Sequence, residues 1–270
     1  MASARFLIAG SLLFTFLQLR TPTATTARQW LSTAIAGTLM LAGANGLVCW
    51  AEQTVPSGLA ALLVGSTPLW MVLIDWLFFR GTRPTVRVCV GLIVGLGGVG
   101  LLVGPAEMSD RMVNPAGAIG LMCACLLWSV GSLVFRRAAQ PKSTFLSVSM
   151  QMLCGGAVLM VVGTAAGEWS RIAWDSISVG SLLALLYLIV FGAIVGLTAY
   201  VWLLRVCSAA HVATYAYVNP VVAVFLGWLM AGEALTPLTM FAAAIIIGAV
   251  FIINRGGQVH IPRVVHRLRP

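Results

Sequence analysis

Six polar or aromatic side chains stand out because they lie inside long apolar stretches of this 270-residue sequence. Such groups are costly at mid-membrane depth unless they find a partner, and they commonly mark pathways for substrates or ions. Amides, hydroxyls and an indole N–H can hydrogen-bond a small solute, and aromatic rings can stack on it. For each residue, packing against a neighbouring helix is the open alternative. The candidates for a substrate-binding cavity are Asn45, Trp128, Ser129, Gln151, Tyr215 and Asn219.

Two prolines, Pro68 and Pro220, lie near the middle of apolar stretches. In a helix, a proline leaves the carbonyl four residues earlier without its usual donor, here the carbonyls of Val64 and Ala216. One interpretation is a hinge in a cavity wall, around which part of the protein moves. The other is a packing kink without a functional role.

Asp75 is the one carboxylate clearly inside an apolar stretch. An acid in a membrane raises the possibility of proton coupling. Asp75 is only five residues from Arg80, however, and the sequence therefore favours an ion pair with Arg80 or Arg83 at the membrane boundary.

The composition describes the environment of these residues. Apolar residues make up 60% of the chain and charged residues 9%, with a mean hydropathy of +1.00. So little charge excludes a soluble globular enzyme, a disordered protein and a secreted disulfide scaffold. The six cysteines show no metal-binding spacing, so we expect no disulfide, no metal and no cofactor. The net charge of +9 is explained by basic residues that set the orientation in the membrane, so nucleic acid is not expected as a partner.

Nine apolar stretches predict an all-α polytopic protein with nine transmembrane helices in the lipid bilayer. The stretches are about 4–19, 30–50, 57–79, 86–103, 115–135, 144–165, 178–204, 210–231 and 238–254. Alternate connections and the carboxyl-terminal tail hold 13 of the 16 basic residues. Since basic residues stay on the cytoplasmic side, the amino terminus is predicted outside and the carboxyl terminus in the cytoplasm.

An internal repeat divides the chain into two halves. Trp50, Pro68 and Trp76 recur 152 residues later as Trp202, Pro220 and Trp228. Five predicted crossings separate the copies, so the copies have opposite orientations in the membrane, as in many secondary transporters. The predicted divisions are a four-helix repeat over 1–104, an external linker over 105–114, a five-helix repeat over 115–254 and a basic cytoplasmic tail over 255–270.

The sequence resembles the EamA type of the drug/metabolite transporter superfamily, in particular its YedA-like exporters. The residues that carry the resemblance are ATYAYVNPVVAVFLGW at 213–228, Gly232-Glu233, Gly248, RFLIAG at 5–10, GANG at 43–46 and PSGLAA at 56–61. The resemblance covers essentially the whole chain. It implies a carrier of the bacterial inner membrane, usually with ten helices around a central cavity, that exports amino acids, other metabolites or toxic compounds.

Compared with that pattern, the first family helix is missing. The second half begins with the stretch that contains Trp128, and its counterpart should precede Ala4. Two explanations are open. The reading frame continues upstream of Met1 and encodes an apolar, tryptophan-containing span, or the protein works as a nine-helix variant, alone or completed by a partner.

The leading functional hypothesis is a secondary transporter that exports a small molecule by alternating access. No phosphate-binding Gly-x-x-x-x-Gly-Lys-Ser/Thr motif occurs, so ATP is not the expected energy source. An intramembrane enzyme is disfavoured because the apolar stretches lack a pair of carboxylates or a buried histidine. The alternative is an inactive or regulatory membrane subunit derived from a carrier. The candidate cavity groups are neutral, which disfavours a strongly charged ligand. The sequence names neither the substrate nor the coupling ion, and homodimerisation is open.

Overall fold

The computed structural model describes residues 1–55, 57–109, 115–171, 178–231 and 236–256. Eleven helical segments occupy most of these ranges. They are α1 (Ala2–Arg20), α2 (Ala27–Ala51), α3 (Ser57–Val64), α4 (Thr67–Phe78), α5 (Val86–Ser109), α6 (Pro115–Arg137), α7 (Thr144–Ala165), α8 (Val179–Val206), α9 (Ala209–Ala213), α10 (Tyr215–Ala231) and α11 (Pro237–Gly256).

The predicted all-α, multi-pass architecture is confirmed. In the described ranges, six helices are long and apolar enough to cross a membrane, one of them the kinked unit Ala60–Phe78. Shorter apolar helices span Val86–Leu101 and Pro237–Ile253. Helix α5 continues to Ser109, so the first half of the predicted linker 105–114 is helical, in keeping with the helix propensities of alanine, glutamate and methionine at 106–108. Residues 110–114 of the linker and 257–270 of the predicted tail lie outside the described residues.

Hydroxyl side chains determine where several helices begin. The Thr26 hydroxyl accepts the backbone N–H of Gln29, and the Gln29 side chain accepts that of Thr26, forming a capping box before α2. Ser143, Ser178 and Ser208 cap α7, α8 and α9 in the simpler way. Each cap satisfies N–H groups that the first helical turn leaves without a partner.

A π-helical segment occurs at matching positions in the two repeats. Within α2 it spans Thr38–Ala44, and within α8 it spans Leu188–Leu197. Moving the first segment by the repeat offset of 152 gives 190–196, which lies inside the second segment. The inverted repeat predicted from tryptophans and prolines is therefore also present in the backbone. Because π segments are uncommon and often occur at functional sites, the pair points to the region between α2 and α8.

The third predicted span is broken into two half-helices. It is interrupted at Gly65 and Ser66, so Pro68 lies in the first turn of α4 rather than in the middle of a continuous helix. Proline is favoured in that first turn because its missing N–H has no helical partner there. The Val64 carbonyl that the sequence analysis left unpaired accepts the Thr67 hydroxyl at 2.6 Å. In the second repeat, the break falls at Thr214, between α9 and α10, and Pro220 lies inside α10.

Glycines let equivalent helices of the two repeats approach closely. On α5, Gly91 faces Ile253 and Gly98 faces Ile246, both on α11. On the other side of the bundle, Gly10 of α1 lies against α7, where an added Cβ would stand 2.9 Å from the Cβ of Met152. Small residues at helix crossings are the usual means of packing in membranes, where burial of apolar surface contributes little. The resulting bundle leaves a space between the halves.

Candidate functional site

Two adjoining cavities lie between the repeats, with volumes of about 550 and 170 Å³. Four of the six candidate residues line both cavities: Asn45, Trp128, Tyr215 and Asn219. Asn45 comes from the first repeat and the other three from the second. The fold therefore brings together residues that are up to 174 positions apart (Asn45 to Asn219), and the larger volume suits a small organic molecule.

An aromatic cluster forms one wall of this space. The indole N–H of Trp128 donates to the Tyr200 hydroxyl at 3.0 Å, and the Tyr200 hydroxyl lies 2.7 Å from the hydroxyl of Ser132. The ring of Tyr215 meets Tyr200 edge-on, with 5.2 Å between centroids. These contacts hold the rings in fixed orientations, and their faces and edges can contact an apolar or aromatic solute.

The π-helical segments contribute to the same wall. The larger cavity is lined by Leu41 from the segment in α2 and by Gly192 and Gly196 from the segment in α8. Asn45 follows directly after the first segment. The π distortion thus affects both repeats where the backbone borders the cavity. The half-helix break also reaches it, since Val64 and Thr67 line the smaller cavity.

Ser129 and Gln151 are placed elsewhere. Ser129 is completely buried, and its hydroxyl donates to the Cys125 carbonyl at 2.7 Å within its own helix. Gln151 is also completely buried, and its backbone carbonyl packs directly on Gly37 of α2. Neither amide atom of the Gln151 side chain has a hydrogen-bond partner among the described residues. Neither residue lines the two cavities.

Arg5 and Tyr200 are polar side chains that line the larger cavity but are not among the sequence candidates. Because the amino terminus is predicted outside, Arg5 is expected at the external end of the first span, whereas the structure places it in the first turn of α1 and in the lining of the larger cavity. Its Nη2 donates to Oδ1 of Asn45 at 3.3 Å. A basic residue at the start of a long apolar stretch is ordinarily assigned to the membrane surface, so the sequence carries no signal that Arg5 turns inward.

The ion pair expected between Asp75 and Arg80 or Arg83 is not the one that forms. Oδ1 of Asp75 lies 2.7 Å from Nη2 of Arg137, at the end of α6 in the other repeat. The cause is the chain reversal after α4: the Gly81 N–H donates to the Asp75 carbonyl at 2.8 Å, and Arg80 adopts a positive φ of 52°. Arg83 instead lies over the ring of Trp76.

Further contacts between the repeats lie at the same end of the bundle. The side-chain amide of Gln29 donates to the Gln140 carbonyl at 3.3 Å, and the Ser32 hydroxyl donates to the Ala139 carbonyl. These bonds connect the start of α2 to the segment after α6. Together with the Asp75–Arg137 pair, they hold the two repeats against each other at this end, which we call the Arg137 end.

These features define a class of protein: a multi-pass helical membrane protein of two inverted repeats with a polar and aromatic cavity between them, as in transporters. The chain belongs to the EamA-like transporter family, whose model matches residues 1–104 and 115–255.

Individual relatives agree with this assignment. The chain is 39% identical over 257 residues to the uncharacterised inner membrane transporter YedA of Escherichia coli K12, covering 95% of this chain and 81% of YedA. It is 22% identical to a chloroplastic WAT1-related protein of Arabidopsis thaliana, covering 94% of this chain and 62% of that protein. A crystal structure of another protein has the same fold, with a TM-score of 0.73 at 20% identity, covering 94% of this chain and 86% of that one.

Proposed function

We propose that this protein is a secondary transporter of the bacterial inner membrane that exports a small metabolite, an amino acid or a toxic compound by alternating access. The observation that carries the proposal is the cavity of about 550 Å³ between the repeats, which is lined from both halves. In an inverted-repeat protein, such a site becomes accessible from one side and then the other as the halves rock. YedA, the relative with 39% identity, is named as an inner membrane transporter.

In this proposal the cavity residues bind the solute and the Arg137 end forms a gate. Asn45 and Asn219 supply amide hydrogen bonds, and Trp128 and Tyr215 supply aromatic surface. The distribution of basic residues assigns the Arg137 end to the cytoplasm, with the amino terminus outside. Separation of Asp75 from Arg137 would then open the cavity to cytoplasmic solutes.

Export profiling tests this function. Cells that overproduce the protein are compared with cells that produce the Asn219→Leu variant, against a panel of amino acids, toxic analogues and other small metabolites. We expect export or resistance for at least one compound, and its loss in the variant while the amount of protein in the membrane is unchanged. Val218→Leu is the matched control because Val218 is the neighbouring exposed residue of α10 and lines neither cavity.

Two results would contradict the proposal. Asn219→Leu protein that fails to accumulate in the membrane would make Asn219 a packing residue and remove it from the site. Absence of export for the whole panel, with well-inserted protein, would favour an inactive or regulatory subunit derived from a carrier.

A further inference from the structure

Arg5 is the only charged side chain among the described residues that line the two cavities. The same linings contain no acidic residue that could neutralise it. The one ion pair in the described ranges joins Arg137 to Asp75, at the other end of the bundle. A guanidinium in an apolar bundle without a carboxylate partner is costly, so a group that supplies a negative charge would be bound favourably.

The hydrogen bonds of Arg5 leave donors unused. A guanidinium carries five N–H donors, and one nitrogen, Nη2, contacts Oδ1 of Asn45. Nε is buried and has no hydrogen-bond partner among the described residues. The guanidinium lies 4.4 Å from the ring centroid of Phe6, another residue of the cavity lining. Phe6 and Asn45 therefore orient the cation beside the cavity without neutralising it.

Asn45 adds a second donor at the same place. Because its Oδ1 accepts from Arg5, its Nδ2 group is left to donate. The contact of Nδ2 within its own helix is to the sulfur of Cys49, at 3.9 Å, and sulfur is a weak acceptor. Arg5 and Asn45 thus present a guanidinium and an amide N–H side by side, an arrangement suited to a carboxylate.

From this geometry we propose that the substrate is an organic monoanion, with a carboxylate bound by Arg5 and Asn45 and an apolar body packed against Trp128, Tyr200 and Tyr215. This inference rests on the proposed transport function and specifies its substrate class. A cation would be repelled by Arg5, and a zwitterion would leave its ammonium without an acidic partner in the described lining. The sequence predicts a cavity lined by neutral groups, whereas in the structure Arg5 makes the lining cationic.

The test is binding to the purified full chain in lipid nanodiscs, measured by calorimetry. The probes share one apolar body: 3-phenylpropionate, its neutral amide and the zwitterion phenylalanine. We expect wild-type protein to bind the carboxylate at least tenfold more tightly than the amide or phenylalanine. Arg5→Gln should weaken carboxylate binding by about tenfold to 100-fold, because it removes charge-assisted hydrogen bonds. Binding of the amide should be unchanged.

Two further variants keep the result interpretable. Arg5→Lys retains the charge but loses the planar fork, so its affinity for the carboxylate should be intermediate. Arg20→Gln removes a basic residue from the exposed far end of the same helix and should leave binding unchanged. If carboxylate and amide bind equally, if neither binds, or if Arg5→Gln weakens both to the same degree, the assignment is overturned.

Failure of this inference can be distinguished from failure of the proposed function. If the export panel identifies only neutral or cationic compounds, and Arg5→Gln does not change their export, the protein is a transporter and the anion site is wrong. If the carboxylate binds through Arg5 but no compound is exported, the anion site stands and the transport function is wrong.

Discussion

Replacing Asp75 by asparagine should weaken the contact that holds the two repeats together at the Arg137 end. In the structure, Nη2 of Arg137 lies 2.7 Å from Asp75 Oδ1 and 2.6 Å from the Phe79 carbonyl. The Asp75 side chain is 15% exposed and that of Arg137 is 38% exposed. Asparagine has nearly the same shape but no charge, so the substitution removes the ionic part of the contact with little change in packing.

The size of the effect follows from this partial burial. Exposed ion pairs contribute about 0–1 kcal/mol, and hydrogen bonds to charged groups contribute about 1.5–3 kcal/mol. Because Arg137 is more than a third exposed and retains the Phe79 carbonyl, we expect a loss of about 1 kcal/mol. Since 1.4 kcal/mol corresponds to a factor of ten, the closed form should lose about fivefold in population relative to the open form.

Cys125 provides a native reporter for this equilibrium because it is buried and lines the smaller cavity. In a chain whose other five cysteines are replaced by alanine, a membrane-impermeant thiol reagent is added to inside-out vesicles. Asp75→Asn should increase the labelling rate of Cys125 about fivefold. Arg83→Gln is the control because Arg83 lies over Trp76 and outside the ion pair.

An exchange of the two charges completes the experiment. The double variant Asp75→Arg, Arg137→Asp restores opposite charges at the contact and should bring labelling back toward the original rate. Labelling that is unchanged by Asp75→Asn, or raised equally by Arg83→Gln, would refute the role of this pair as a gate.

Three further predictions concern orientation, packing and the cavity wall. Reporter fusions placed after α1, α4 and α6 should all report the cytoplasm, since the connections on that side and the carboxyl-terminal tail carry 13 of the 16 basic residues; a periplasmic signal at any of the three would contradict the proposed orientation. Gln151→Leu should raise the free energy of unfolding by about 1–3 kcal/mol in a thermal unfolding assay, because it removes two buried amide atoms without partners; a clear loss of stability would mean that Gln151 has a partner. Trp128→Phe should weaken substrate binding about threefold to tenfold because it removes the indole N–H bond to Tyr200, while the bond between Tyr200 and Ser132 remains. Tyr200→Phe removes both bonds and should weaken binding at least as much; a weaker effect of Tyr200→Phe would mean that Trp128 acts through its own contact with the substrate.

The sequence predicts the helices and the repeat because both depend on local or periodic signals. Apolar stretches of about 20 residues identify helices that span a bilayer. The sequence also identifies four residues that line both cavities, because a polar or aromatic residue in an apolar helix is conspicuous: Asn45, Trp128, Tyr215 and Asn219. The same signal selects Gln151, which packs against a helix instead, because a helix that is apolar all round gives no indication of which face is which.

Other features depend on contacts between distant segments. The partner of Asp75 is 62 residues away in the other repeat, and nearby arginines in the sequence were the wrong choice. The inward position of Arg5 depends on Asn45, 40 residues further along. The break before Pro68 has a sequence signal that could have been used: Gly65, Ser66 and Thr67 precede the proline, and such residues commonly end one helix and begin another.

The paired π segments have a consequence for how the sequences of α2 and α8 are compared with those of other helices. A π turn contains an additional residue, and each residue of an α-helix advances the side chains by about 100°. Side chains after Ala44, such as that of Asn45, therefore point about 100° away from the direction that an unbroken α-helix continued from the residues before Thr38 would give them. A helical wheel drawn through the whole of α2 would misassign the orientation of one part. A homologue that lacks one residue in this segment would form a regular α-helix with the same flanking side chains toward the cavity, so the two sequences align correctly only with a one-residue gap inside the π segment.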